Sequence, residues 1–123
     1  MNEITTIVDT YLATLNEADP AQRAKLLERA WARDGSYVDP MFEARGHAAL
    51  GDMIAGIAQR YPGHRFRRTS GVDSHHGVLR FAWEFAASDG QIVVAGIDIG
   101  ELASDGKLQR IAGFFGPLPA SST

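Results

Sequence analysis

The chain contains no cysteine, which removes disulfides, thiolate metal sites and cysteine nucleophiles together and fits a reducing compartment. Basic runs are missing too. Twelve Lys and Arg are scattered among fifteen Asp and Glu for a net charge of −3, so nothing tracks a phosphate backbone and nucleic acid is not an expected partner. Long apolar runs are absent, and Asn2, Glu3 and Asp9 interrupt the apolar N-terminus, which argues against a signal peptide and a membrane span. A cytoplasmic location with no membrane partner is the resulting expectation. There is no internal repeat and no low-complexity segment beyond the stretch 117–123, expected to be a flexible tail.

What remains is ordinary for a folded chain: 123 residues, 45% hydrophobic, enough for one domain over 1–123 around one core. Ile4, Ile7, Val8, Tyr11, Leu12 and Leu15 form the stripe of an amphipathic helix, with Tyr11 on the buried side, where its hydroxyl needs a partner. Asp19-Pro20 opens a second helix as N-cap and first residue. This helix is expected to reach about Ala32 with Ala24, Leu27 and Trp31 inward, and to stop at Asp34-Gly35. Ser36 to Pro40 reads as extended. Asp39 lies there among Tyr37, Val38, Pro40, Met41 and Phe42, a setting that makes it a candidate general base or acid and, equally, a turn-former before proline. Gly46 opens a third helix, with Leu50, Met53, Ile54 and Ile57 inward and His47 expected to be solvated, and Pro62-Gly63 closes it.

Beyond Pro62 the spacing becomes that of strands: His64 to about Ser74, Val78 to Ala87, Ile92 to Leu102 and Leu108 to Phe115, joined by short polar turns. An antiparallel meander is expected. His75 and His76 are adjacent, but neighbours on an extended chain point to opposite sides and no third ligand has suitable spacing, so no metal is expected. Phe81, Trp83 and Phe85 share one face, as core or as a pocket wall. The most informative residue is Asp98, a carboxylic acid inside the apolar strand Q-I-V-V-A-G-I-D-I-G-E-L. Burial there demands that it be paired, protonated or turned toward a polar cavity, unless it sits near a strand end and bonds a loop. Gly96 and Gly100 flank it on its own face and leave a gap there. The opposite face carries Val93, Ala95, Ile97 and Ile99, which suggests a two-fold dimer through the outer side of the sheet. Helices followed by a curved antiparallel sheet make an α+β class.

Three stretches carry a family resemblance: V-D-T-Y-L-A-T-L-N on the first helix, Y-V-D-P at the end of the first strand, and V-V-A-G-I-D on the central strand. The chain resembles the nuclear transport factor two-like superfamily, which includes ketosteroid isomerases and SnoaL-like polyketide cyclases. That resemblance implies a cystatin-like curved antiparallel sheet with three N-terminal helices on its concave face and a cone-shaped pocket between them. By the same resemblance, Tyr11 and Asp98 would donate hydrogen bonds to a substrate oxygen and Asp39 would move the proton. The neutral acid in such a site is described for ketosteroid isomerase itself. The pocket is then expected to be walled by Trp31, Phe42, Met53, Phe81, Trp83, Phe85 and Phe115. Met53 and Ile54 replace an aromatic pair familiar on the third helix, and Trp83 replaces a small apolar residue, which reshapes or shrinks the pocket. The implied function is cofactor-independent proton abstraction beside a carbonyl, giving isomerisation or cyclisation of a small apolar carbonyl compound. The alternative is a non-catalytic, dimeric small-molecule-binding member.

Overall fold

The structure, a computed structural model, describes residues 3–121, so Asn2 of the N-terminal stretch and the last two residues of the expected tail lie outside the described residues. Helix α1 (Glu3–Asn16) buries Val8, Tyr11 and Leu12, as the apolar stripe requires. Helix α2 (Pro20–Ala30) starts on Asp19, whose carboxylate accepts the Gln22 N–H at 2.9 Å. Its inward residues are Arg23, Leu27 and Ala30, while Ala24 is exposed. Arg23 can be buried because its guanidinium donates to the carbonyls of Glu17 and Ala18, just past the end of α1, at 3.1 and 3.2 Å.

Strand β1 (Trp31–Val38) begins at the residue after α2, which ends two residues short of the expected Ala32. Trp31 closes the helix through its N–H on the Leu27 carbonyl but already has extended dihedrals, and its indole is only 2% exposed. Burial against the sheet overrides the helical spacing. Asp34-Gly35 therefore stops no helix and lies in a bulge instead. Between the pairs Trp31–Leu108 and Ser36–Arg110, β1 advances five residues while its neighbour advances two. A short hairpin strand, β2 (Glu43–Arg45), follows and pairs antiparallel with β1.

Gly46, at φ +86°, leads into helix α3 (His47–Arg60), which buries Leu50 and Ile54. His47 is half-buried rather than solvated, because its Nε2 lies 3.1 Å from the carbonyls of both Trp31 and Ala32.

The strand expected over His64–Ser74 is two shorter ones, β3 (Arg65–Arg68) and β4 (Asp73–His75), both paired with β5 (Val78–Ala86). Strands β6 (Ile92–Leu102) and β7 (Leu108–Phe115) complete the sheet in the order β2-β1-β7-β6-β5-β3. The meander is antiparallel, but β1 runs parallel to β7, so the sheet is mixed rather than antiparallel. No hairpin links those two strands, and only a hairpin forces opposite directions. The turn after β4 narrows to His76-Gly77, with φ +48° and +77°. It swings the two histidine rings to within 5.4 Å instead of apart. No cluster of three or more possible metal ligands occurs among the described residues.

The class is α+β, with three helices and a curved mixed sheet. Tyr11, Trp31, Leu50, Leu108 and Ile111 lie at the centre of the core. On the outer face Val93, Ile97, Ile99 and Phe114 are 39 to 61% exposed. Residues 117–121 are exposed and belong to no helix or strand. No described helix is long and apolar enough to cross a membrane.

Candidate active site

Alternation along β6 turns Gly96, Asp98 and Gly100 inward and leaves Val93, Ala95, Ile97 and Ile99 outside. Asp98 is 3% exposed and lies mid-strand, which removes the strand-end reading. It is paired. The Tyr11 hydroxyl donates to Oδ2 at 3.1 Å and the Trp83 indole N–H donates to Oδ1 at 2.9 Å. Burial pushes the Asp98 carboxyl up to about 7; the charge of Asp39 adds to this, and the bonds from Tyr11 and Trp83 work against it. Burial first, and then the Asp98 charge, hold the Tyr11 phenol well above its ordinary value.

The gap expected beside Asp98 is filled. A Cβ on Gly96 would lie 2.0 Å from the Phe114 carbonyl oxygen and 2.8 Å from the Trp83 ring, and one on Gly100 would lie 2.9 Å from Leu79. These glycines admit packed neighbours rather than a ligand. The glycine that makes room for polar groups is Gly113, opposite Asp98 on β7. A Cβ there would lie 2.9 Å from Asp98 Oδ1, 3.3 Å from Asp39 Cβ and 3.4 Å from the Tyr37 hydroxyl. Both acids and a tyrosine therefore converge on one point of the sheet.

Asp39 follows β1 and is half-buried. Its Oδ1 accepts the N–H groups of Met41 and Phe42 at 2.8 Å each, and its Oδ2 accepts the Tyr37 hydroxyl at 2.5 Å. It forms the turn and faces the cavity as well. Tyr37 was not among the sequence candidates, although its place two residues before Asp39 puts both on one face of an extended chain. Burial, then the charge of Asp98 and the bond to Asp39, push its phenol up.

The cavity measures about 260 Å³ and is lined by Tyr37, Asp39, Phe42, Met53, Trp83, Phe85 and Phe115, among others. Asp39 is the one charged residue in that lining. Trp31 and Phe81 are not part of the wall. They pack edge-on against Tyr11, at centroid distances of 5.7 and 6.3 Å, because the ring of Tyr11 lies in the core. Tyr11 and Asp98 do not line the cavity either, while Trp83 both lines it and bonds Asp98. Sequence reasoning missed Leu15, Met41, Ile57, Tyr61, Phe66 and Val94 as wall residues, and Val93, mostly on the outer face, also reaches the cavity rim.

The family model for the SnoaL-like domain matches residues 8–111. The chain belongs to the SnoaL-like family, within the nuclear transport factor two-like superfamily. This SnoaL-like chain is 35% identical to a provisionally assigned isomerase of the SnoaL-like family from Agrobacterium tumefaciens, over 95% of this chain and 100% of that one, with a TM-score of 0.89. A protein with a cystatin-like fold from Methylobium petroleophilum shares 16% identity over 98% of this chain and 80% of its own, at a TM-score of 0.76. A provisionally assigned SnoaL-like polyketide cyclase from Jannaschia shares 15% over 94% and 89%, at 0.68. The likeness to the Methylobium structure shows the fold of the SnoaL-like chain to be cystatin-like. No curated protein matches the sequence.

Proposed function

We propose that the chain is a cofactor-independent enzyme that moves a proton beside a carbonyl in a small apolar substrate, giving isomerisation or cyclisation. The observation that carries this reading is the single carboxylate, Asp39, set in the wall of an otherwise apolar cavity. A carboxylate has about four acceptor positions, and Asp39 uses three on Tyr37, Met41 and Phe42, leaving one for a substrate C–H. The proton passes from the carbon to Asp39 while the electron pair moves onto the carbonyl oxygen. Tyr37, beside Asp39 and in the same wall, gives its one hydroxyl proton to Asp39 Oδ2 at rest and becomes a donor to that oxygen by turning away as Asp39 takes up the substrate proton. Such a donor contributes roughly 3 kcal/mol when well placed. Returning the proton at another carbon of the conjugated system completes an isomerisation.

Tyr11 and Asp98 enter this reading differently from the family pattern. The Tyr11 hydroxyl is spent on Asp98, and the pair stands behind Trp83 rather than in the wall. It sets the electrostatics around Gly113 and does not touch the substrate. A cavity of about 260 Å³ lies just below the roughly 300–1,000 Å³ of drug-sized sites, which favours a one- or two-ring compound over a steroid. The agreement with the Agrobacterium protein at 35% identity supports an isomerase-type reaction. A cytoplasmic location belongs to the same reading, as does a homodimer through the outer sheet face.

The test needs no knowledge of the natural substrate. Cyclic β,γ-unsaturated ketones are incubated with the protein in D2O, and deuterium at the α-carbon is followed by NMR. Wild type is expected to accelerate exchange, and Asp39→Asn to lose at least a hundredfold while keeping its circular dichroism spectrum. Equal exchange in the two proteins would remove Asp39 from the chemistry. A second reading, a non-catalytic binding protein, is favoured by the closure of Asp98 on Tyr11 and Trp83, a pattern that also suits a structural polar network. It forecasts ligand binding with no exchange at all.

A further inference from the structure

A second hollow of about 250 Å³ shares five wall residues with the first, namely Leu15, Ile57, Tyr61, Phe66 and Phe85. Apart from the small residues Ala18, Ala58 and Gly63, what it adds is polar: Asn16, Glu17, His64 and Arg65. Tyr61 stands between the two. It is half-buried at the C-cap of α3, edge-on to Phe85 with centroids 5.6 Å apart, and its hydroxyl has no hydrogen-bond partner among the described residues.

We propose that the two hollows are the two ends of one binding channel, with Tyr61 as the partition. The ligand is then an elongated molecule with an apolar carbonyl-bearing head at Asp39 and an uncharged hydroxyl-bearing tail beyond Tyr61. The proposal deepens the functional reading above and rests on the first cavity being the substrate site.

Three observations point to that tail. Shared walls on four elements, α1, α3, β3 and β5, set the hollows side by side, so a chain leaving the first cavity meets apolar side chains until it passes Tyr61. Beyond Tyr61 the lining holds one full charge of each sign, Glu17 and Arg65. A tail of either charge would meet one like and one opposite charge and have to shed its water to do so, whereas a hydroxyl can donate to Glu17 and accept from Arg65. Asn16 is not available for recognition. Its amide donates to the Phe66 carbonyl and accepts the Phe66 N–H, both at 2.8 Å, which pins Phe66 in place as a shared wall. The Tyr61 hydroxyl remains for the tail.

Calorimetric binding of a phenol series provides the test, with the phenol as enolate mimic: phenol, 4-propylphenol, 4-hexylphenol, 4-(6-hydroxyhexyl)phenol and 6-(4-hydroxyphenyl)hexanoate. Affinity is expected to rise about fourfold for each methylene buried, the factor given by about 0.8 kcal/mol. The hydroxyl tail should bind at least as tightly as hexyl, and the carboxylate tail at least tenfold more weakly than the hydroxyl. Ala58→Phe, an exposed helix position lining only the second hollow, should collapse the ratio of hexylphenol to phenol affinity. His64→Trp serves as an independent second block. Phenol binding with no gain from the tail, a gain that survives both blocks, or a carboxylate tail preferred to the hydroxyl would overturn the channel and leave the site. Failure of every phenol to bind would overturn both.

Discussion

Trp83 and Asp98, on neighbouring strands, are joined by an indole N–H donated to a carboxyl oxygen across 2.9 Å. With Tyr11 on the other oxygen, the acid is enclosed by two donors, and yet burial holds it near 7. An unfolded aspartate titrates near 3.9, so the folded chain binds more protons between about pH 4 and pH 7, and stability falls as pH rises through that window. Asp98→Asn is expected to flatten the slope, since its amide can accept from Trp83 and donate to the Tyr11 oxygen. At pH 8 the variant should be more stable by roughly 2 to 4 kcal/mol. Urea unfolding at pH 4, 6 and 8 measures this, and parallel profiles for the two proteins would refute it.

Trp83→Phe removes one of the two donors. Asp98 Oδ1 would then be buried without a partner, which costs about 1 to 3 kcal/mol. The Trp83 bond is one of the interactions that hold the Asp98 carboxyl down, so the loss should be greater at pH 8 than at pH 4.5. Chemical denaturation at both values decides it; a loss independent of pH would mean that the indole contributes packing alone.

Gly113 is expected to tolerate nothing larger. A methyl there meets Asp98 Oδ1 at 2.9 Å and Asp39 Cβ at 3.3 Å, so Gly113→Ala should destabilise by about 1 to 3 kcal/mol and reduce α-proton exchange more than an equally destabilising core variant. Thermal unfolding paired with the exchange assay would show this, and wild-type exchange in the variant would separate Gly113 from the site.

Tyr37→Phe deletes the hydroxyl that bonds Asp39 while keeping the ring. Exchange is expected to fall about 10- to 100-fold, with KM changing less than kcat, because a transition-state donor is lost. An unchanged kcat would reassign the oxyanion donor.

Ile97 and Phe114 are directly opposed on β6 and β7, and both are largely exposed. If that face joins two copies, sedimentation should give twice the chain mass for wild type and a monomer for the double variant Ile97→Lys, Phe114→Lys. A wild-type monomer at micromolar concentration would rule out this interface.

Much of the architecture was legible because it is local. The stripe on α1, the Asp19-Pro20 start and the turns of the meander are written in consecutive residues, and the burial of Asp98 follows from the period of two in β6. The errors arose where distant packing decides. Nothing between Ala30 and Trp31 signals a change from helix to strand. Asp34-Gly35 reads as a stop until its bulge against β7 is seen, and the parallel direction of that pairing has no local mark. At the site, Asp39, Asp98 and Tyr11 could be picked out one by one. That Trp83 screens two of them from the cavity, and that Tyr37 replaces them in its wall, depends on rotamers set by several elements at once.

The parallel pairing of β1 with β7 also bears on biosynthesis. Asp39 comes from the first third of the chain, yet the surface that receives it includes Gly113 and needs β7 in place. While translation is still short of Leu108, the ribosome-bound intermediate has no such surface, and Tyr37 and Trp31 lack the strand that shields them. The site is therefore among the last parts to be assembled, through contacts of the large sequence separation that slows folding in general.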